Sequence, residues 1–228
     1  MSLEILFEDD ALVFVNKPAG VVVQSRMDHP DEPYLHAEVV RHTAPAYLMQ
    51  RLDRGTSGVI FFSKRTDVNA RLTRQFQRKR IRKGYLALCE GELAEPRTID
   101  APLARVGAIT FGVREGGKRA ITHVKPLHAT PAGSLLAIEL ETGRTHQIRV
   151  HLSAIGHPVA GDWLYGAASA VRPMLHAARI EMTHPLTGAL LCVEAPLPED
   201  FREEAARRSL RAAGIVDGRD GGRGTDSG

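Results

Sequence analysis

Apolar positions along the chain fall into short continuous runs and into stripes at helical spacing. Ala11-Leu-Val-Phe-Val and Val21-Val22-Val23 read as two short strands broken at Lys17-Pro18-Ala19-Gly20, where proline and glycine together punctuate a turn. Residues 35–41 predict a short helix. Gly58-Val-Ile-Phe-Phe-Ser reads as a buried strand from its β-branched and aromatic content. Over residues 67–80, Val68, Leu72 and Phe76 recur four apart and predict a helix with one apolar stripe. Further strands are expected at 85–89, 120–127, 135–141, 175–182 and 190–194. In the first of these, alternation sends Leu86 and Leu88 to one face, Tyr85 and Ala87 to the other.

Residues 145–155 carry Ile148, Leu152 and Ile155, the apolar face of a short helix. Leu197-Pro-Glu-Asp200 opens a last helix expected to reach residue 213. Its acidic residues come early and Arg207, Arg208 and Arg211 late, an order that suits the helix dipole. From Gly214 onward glycine, aspartate and arginine replace apolar residues, and this tail is expected to be disordered. Strands outnumber helices without alternating regularly with them. The expectation is an α+β fold, a mixed, mostly antiparallel central sheet flanked by helices. It forms a single domain over residues 1–213, with 214–228 as the tail.

Composition narrows the function classes. The chain of 228 residues is 43% hydrophobic and 25% charged, ordinary for a globular protein. No apolar run approaches the about 20 residues of a membrane span. The N-terminus reaches Asp9-Asp10 at once and lacks the basic and apolar regions of a signal peptide, so a cytoplasmic protein is expected. Cys89 and Cys192 sit in apolar strand-like segments and read as reduced core thiols, with a lone disulfide as the alternative. No CxxC pair supports a zinc site.

Lys and Arg number 30 against 27 Asp and Glu, a net charge of +3 whose distribution matters more than its size. Arg71, Arg74, Arg78, Lys79, Arg80, Arg82 and Lys83 follow one another with no acidic residue between them. Such a block is either a solvated helix face or a surface that tracks phosphates by releasing their counterions.

Three segments carry candidate chemistry. In Gln50-Arg-Leu-Asp-Arg-Gly-Thr-Ser-Gly58, Asp53 stands between Arg51 and Arg54, beside glycines that permit a sharp turn or close approach to a ligand. Flanking guanidinium groups favour the charged form of a carboxylate. A turn-capping Asp paired with Arg at the surface is the plain alternative. In Gly143-Arg-Thr-His-Gln-Ile-Arg-Val-His, Arg144, His146, Gln147, Arg149 and His151 gather at the first turns of a helix, where anions are attracted. Metal binding by His146, His151 and His157 lacks an acidic ligand or an HExxH pattern. Tyr85, in Lys83-Gly-Tyr-Leu-Ala, is either a buried structural residue or part of a site.

Together these segments resemble the RluA-type pseudouridine synthases. Arg51-Leu-Asp-Arg-Gly-Thr-Ser-Gly is similar to that family's catalytic loop. Gly143-Arg-Thr-His-Gln-Ile-Arg-Val-His-Leu is similar to its second hallmark, with Gly156-His-Pro, and Gly161-Asp ahead of Tyr165-Gly. Asn16-Lys-Pro-Ala-Gly, Lys83-Gly-Tyr-Leu-Ala, Leu175-His-Ala and His184-Pro-Leu-Thr-Gly also fit, in the family's order, over roughly residues 5 to 200. Gln50 stands where many members have His, and the family's auxiliary S4-type RNA-binding domain is not expected here.

The resemblance implies isomerisation of uridine within structured RNA, a ribosomal or transfer RNA stem-loop, by a monomeric enzyme without metal or cofactor. Asp53 is then the essential carboxylate, which attacks C1′ or removes a proton at C2′; both routes stay open. Arg149 is its ion-pair partner. Tyr85 stacks on the base and takes the C5 proton, a task for which a phenol is poorly suited without a positive neighbour. Arg51 fills the gap left by the flipped uridine, and Arg54, Thr56, Arg144, His146 and Gln147 bind substrate. Because the chain is only 5% aromatic, RNA grip is expected from Arg71, Arg74 and Arg78, then from Arg119 and Lys125. A nucleosidase with the same Asp and a non-catalytic RNA-binding module are the competing classes.

Overall fold

A computed structural model describes residues 2–25 and 32–211. The first half runs β1 (Glu4–Glu8), β2 (Leu12–Lys17), α1 (Leu35–Thr43), β3 (Tyr47–Leu48), β4 (Ser57–Ser63), α2 (Thr66–Gln77) and β5 (Arg82–Cys89). After it come β6 (Arg97–Asp100), β7 (Leu103–Arg105), β8 (Phe111–Val113), β9 (Ile121–Thr130) and β10 (Gly133–Leu140). The chain continues with α3 (Gln147–Ala154), β11 (Leu175–Thr183), β12 (Leu190–Glu194) and α4 (Glu199–Arg207).

Among the described residues ten strands make one sheet, β1-β2-β4-β11-β5-β10-β9-β6, with β3 beside β4 and β12 beside β11; β7 and β8 form a separate hairpin. Every pairing in the sheet is antiparallel except β4 with β11, which run parallel at His176↔Ser57 and Ala177↔Gly58. The α+β expectation therefore holds.

Helices cover both faces, which explains why β4 is an unbroken apolar run buried along its whole length rather than an alternating one. On one face Val13, Val15, Ile60, Phe62, Tyr85 and Ala87 pack with Leu35 and Val39 of α1 and Ile148 and Leu152 of α3. On the other, Leu12, Phe14, Val59 and Phe61 meet Val68 and Leu72 of α2, while Leu86, Leu88 and Leu135 meet Phe201 and Ala205 of α4. Burying Phe14, Phe61, Phe62 and Phe201 contributes about 2–3 kcal/mol each.

Several expectations are corrected. Val21-Val22-Val23 forms no strand beyond a single bridge from Val22 to Tyr34, because the chain turns away after Lys17. The helix expected over 67–80 ends at Gln77, with Lys79 in the left-handed region (φ 53°). The one over 145–155 begins only at Gln147, after His146 at φ 56°. The last helix stops at Arg207, ahead of a left-handed Ser209. Cys89 is buried and Cys192 exposed, both as free thiols, so only the first is a core thiol. Strands β1, β3, β6, β7 and β8 were not anticipated. The tail expected at 214–228 lies outside the described residues. Among the described residues no helix is long and apolar enough to cross a membrane.

Candidate active site

The loop 51–56 enters β4 at the parallel seam, and that seam dictates its residues. Gly58 has φ 110°, and a Cβ there would lie 2.1 Å from the Ala177 carbonyl oxygen, so only glycine lets β4 approach β11. Next to it, the Ser57 hydroxyl meets His176 Nδ1 at 3.0 Å. His176 Nε2 lies 3.3 Å from the Ala195 carbonyl, which can only accept; Nε2 therefore carries the proton and Ser57 donates to Nδ1.

Two basic side chains, Lys17 and Arg172, hold the loop from behind. Lys17, fully buried, donates to the carbonyls of Pro18 and Val21 (both 2.9 Å) and of Arg54 (3.2 Å). Burial pulls its pKa down to about 7, with the Asp53 charge working the other way. Arg172 donates to the Gly55 carbonyl at 3.3 Å while a bidentate pair with Asp200 (2.6 and 2.8 Å) fixes its guanidinium. The Gly20 amide adds a bond to the Arg54 carbonyl, and the Thr56 amide closes a turn on the carbonyl of Asp53.

So held, Asp53 presents its carboxylate to a cleft of about 920 Å³. Arg149, from the first turn of α3, reaches Asp53 Oδ2 with Nη1 at 3.4 Å. Its principal partner is Asp162, fully buried, which takes Nε at 2.6 Å and Nη2 at 2.8 Å. One guanidinium thus serves two carboxylates: a tight bidentate bond to the hidden one, and a looser approach that leaves the cleft-facing one available. His146 Nε2 lies 3.9 Å from the same Asp53 oxygen. Tyr85 projects from β5 into the cleft wall, its pKa raised by burial and by the Asp53 charge.

Other expected residues sort by position. Arg51, Arg54, Thr56, Arg144, His146 and Gln147 all line the cleft. The Gln147 amide, however, is engaged internally, donating to Ile121 O and Thr122 Oγ1 and accepting from Thr142 Oγ1 and the Arg144 amide. Arg54 bonds the Gly20 carbonyl and pairs with Glu32 at 2.8 Å.

Phe76 and Gln77, at the C-terminal end of α2, border the cleft, which places the exposed Arg74 and Arg78 near its rim. Arg71 spends one donor on the Pro185 carbonyl. Arg119 adjoins Arg144, whose Nε bonds its carbonyl, but Lys125 lines a separate shallow groove with Arg97 and His123. The histidines weighed as metal ligands are engaged apart from one another: His151 is buried between Thr122 and the Ala101 carbonyl, and His157 meets the Glu90 carbonyl.

Sequence reading missed Asp162, Lys17 and Arg172 as site residues. The signal was there for the first two, inside Gly161-Asp and Asn16-Lys-Pro-Ala-Gly, but nothing near Arg172 or Asp200 marked them as supports of a loop more than 100 residues earlier.

Residues 11–154 match the family model for RNA pseudouridylate synthase. The chain is 41% identical over 217 residues to ribosomal large subunit pseudouridine synthase D of Nitrosomonas europaea, covering 87% of this chain and 63% of that protein. It is 39% identical to the uncharacterized RNA pseudouridine synthase YhcT of Bacillus subtilis, covering 88% of this chain and 70% of that one. Thus the chain spans about two thirds of the length of these relatives. A solved structure of human RNA pseudouridylate synthase domain containing 1 superposes with a TM-score of 0.70 at 25% identity, covering 92% of this chain and 96% of that one. Motif order, site geometry and these matches agree: the chain belongs to the RNA pseudouridylate synthase family.

Proposed function

We propose that the protein isomerises specific uridines to pseudouridine in structured RNA, ribosomal RNA or a transfer RNA stem-loop, with Asp53 as the reacting carboxylate. The observation that carries this reading is Asp53 itself, facing the cleft beside a guanidinium that a second, buried carboxylate holds in place. At about 920 Å³ the cleft is large enough for a flipped nucleotide. Arg51, Arg54, Lys79, Lys83 and Arg144 line it, cations suited to flanking phosphates. The Nitrosomonas europaea relative is named for the ribosomal large subunit, which favours ribosomal RNA as the first substrate to try.

The reaction is an isomerisation. The C1′–N1 bond breaks, the uracil turns, C1′–C5 forms, and C5 gives up a proton while N1 ends with one. No electrons are exchanged and no water is consumed. Asp53 acts at C1′ as nucleophile or at C2′ as base, and in either route its negative charge is neutralised only until C1′–C5 forms, which restores the carboxylate before C5 loses its proton. That matters for Tyr85. Burial and the Asp53 charge both resist ionisation of its phenol, so it stands neutral while the base docks. A neutral phenol takes up the C5 proton only by passing its own hydroxyl proton on, and N1, which ends the reaction with a proton, is the acceptor that balances this relay.

Incubation with ribosomal and transfer RNA transcripts tests the reading. Wild type forms pseudouridine, and Asp53→Ala binds the same RNA but forms none. Release of free uracil would instead identify a nucleosidase, and full activity of Asp53→Ala would remove the carboxylate from the chemistry.

A further inference from the structure

His146 and Tyr165 make an arrangement that the cleft chemistry alone does not require. His146 sits just ahead of α3 at φ 56°, a conformation that costs a non-glycine residue about 1 kcal/mol or more and that accumulates at functional sites. This backbone aims Nε2 at Asp53 and Nδ1 at the Tyr165 hydroxyl, 2.7 Å away. The same hydroxyl accepts the Phe111 amide at 3.0 Å, and Phe111 and Tyr165 both stand edge-on to the imidazole, 5.7 and 5.6 Å between centroids. Tyr165 also lies under the Arg149 guanidinium, 5.0 Å from its ring.

This network selects one tautomer. Burial, aided by the Arg149 charge, pulls His146 below its ordinary value against the pull of Asp53 and Asp162, which favours the neutral ring. A neutral ring with its proton on Nδ1 would turn the Nε2 lone pair toward the Asp53 carboxylate, a repulsive placement, and would leave the Tyr165 hydroxyl proton without its acceptor. With the hydroxyl donating to Nδ1, the proton sits on Nε2 and faces Asp53. At 3.9 Å this is an oriented dipole rather than a hydrogen bond.

We infer that Tyr165 is a positioning residue: it locks His146 in the Nε2–H form, and His146 together with Arg149 holds Asp53 in its reactive orientation. This rests on the pseudouridine reading and deepens it. The chain of bonds starts at the amide of Phe111 on β8. The hairpin β7–β8, which carries the exposed Val106 and Ile109 beyond it, is therefore hydrogen-bonded to His146 through the Tyr165 hydroxyl.

Tyr165→Phe keeps the ring and removes only the hydroxyl. Proton–nitrogen correlation spectra of the imidazole, assigned by the signal missing in His146→Gln, read the tautomer without substrate. We expect the Nε2–H form in wild type and a mixture in Tyr165→Phe. In turnover of the RNA substrate, kcat of Tyr165→Phe falls about tenfold with KM unchanged, the rate equivalent of losing one hydrogen bond's orientation. His146→Gln, which keeps an N–H donor, retains more activity than His146→Ala. An unchanged tautomer in Tyr165→Phe, or wild-type kcat in that variant, overturns the inference, as does equal activity of the two His146 variants. A wild-type protein that forms no pseudouridine would sink the proposed function and leave the tautomer result standing by itself.

Discussion

Replacing Asp162 by asparagine separates the two carboxylates that share Arg149. Asp162 is fully buried and binds the guanidinium through two oxygens at 2.6 and 2.8 Å; Arg149 is itself only 7% exposed. Breaking a buried pair by removing one charge costs about 3–5 kcal/mol, because the remaining ion stays desolvated without its partner. Asparagine keeps one acceptor oxygen, so the lower end, about 3 kcal/mol, is expected, or a melting temperature lower by about 6–12 °C for a chain of this length. Among the described residues the released guanidinium has one other anion in reach, Asp53 at 3.4 Å, and turns to grip it. A carboxylate re-aimed in this way loses reactive geometry, and displacement by an ångström costs about a hundredfold in kcat.

Asp53→Asn is the counterpart. Its side chain is 28% exposed and Arg149 keeps its bidentate partner, so stability changes by less than about 1 kcal/mol while pseudouridine formation disappears. Thermal melts and single-turnover conversion measure both variants. If Asp162→Asn melts with wild type and keeps its kcat, or if Asp53→Asn costs as much stability as Asp162→Asn, Arg149 is not anchored as described.

Gly58→Ala would place a methyl 2.1 Å from the Ala177 carbonyl oxygen at φ 110°, and a loss of more than about 3 kcal/mol in denaturant unfolding is expected; a neutral result would refute the β4–β11 register. Changing Arg71, Arg74 and Arg78 together to Ala should flatten the slope of log affinity against log salt by about two, at 0.7–0.9 per lost phosphate contact. An unaltered slope would remove α2 from the RNA surface. Burial holds His176 at about 4 against an ordinary 6.5, so the unfolded chain takes up that proton first and stability falls as pH drops from 6.5 to 4. The loss is about 3 kcal/mol, read from denaturation midpoints across that window, and His176→Gln should shallow the dependence; an unchanged slope would show that the ring is not buried neutral.

Much of this fold was legible because its strands are buried on both faces. Val59 to Phe62 and Leu135-Leu136 read as core, and the alternation of Tyr85 and Ala87 against Leu86 and Leu88 sent each pair to the helix layer it meets. Edge elements were not legible for the converse reason. β1 has no fully buried residue, and β6, β7 and β8 have at most four residues each, too few to show a period. Helix ends were misjudged where a non-glycine residue turns left-handed, at His146, Lys79 and Ser209, since nothing in those side chains announces it.

The site divided along similar lines. Asp53, Arg149 and Tyr85 belong to recognisable motifs, and all three lie along one cleft. The Arg172–Asp200 support could not be read because its meaning lies in which carbonyl it reaches, a tertiary fact.

The parallel seam has a consequence for the order of synthesis. Asp53 lies early in the chain, but Arg149 meets it across 96 residues, the Gly55 carbonyl waits for Arg172 across 117, and Ser57 for His176 across 119. A nascent chain that has emerged as far as residue 154 carries the whole stretch matched by the family model but lacks Asp162, Arg172, β11 and α4. Asp53 would then sit on a loop without its Arg172 support. The supports of the Asp53 loop are thus complete only once residue 200 has been made, long after the loop itself.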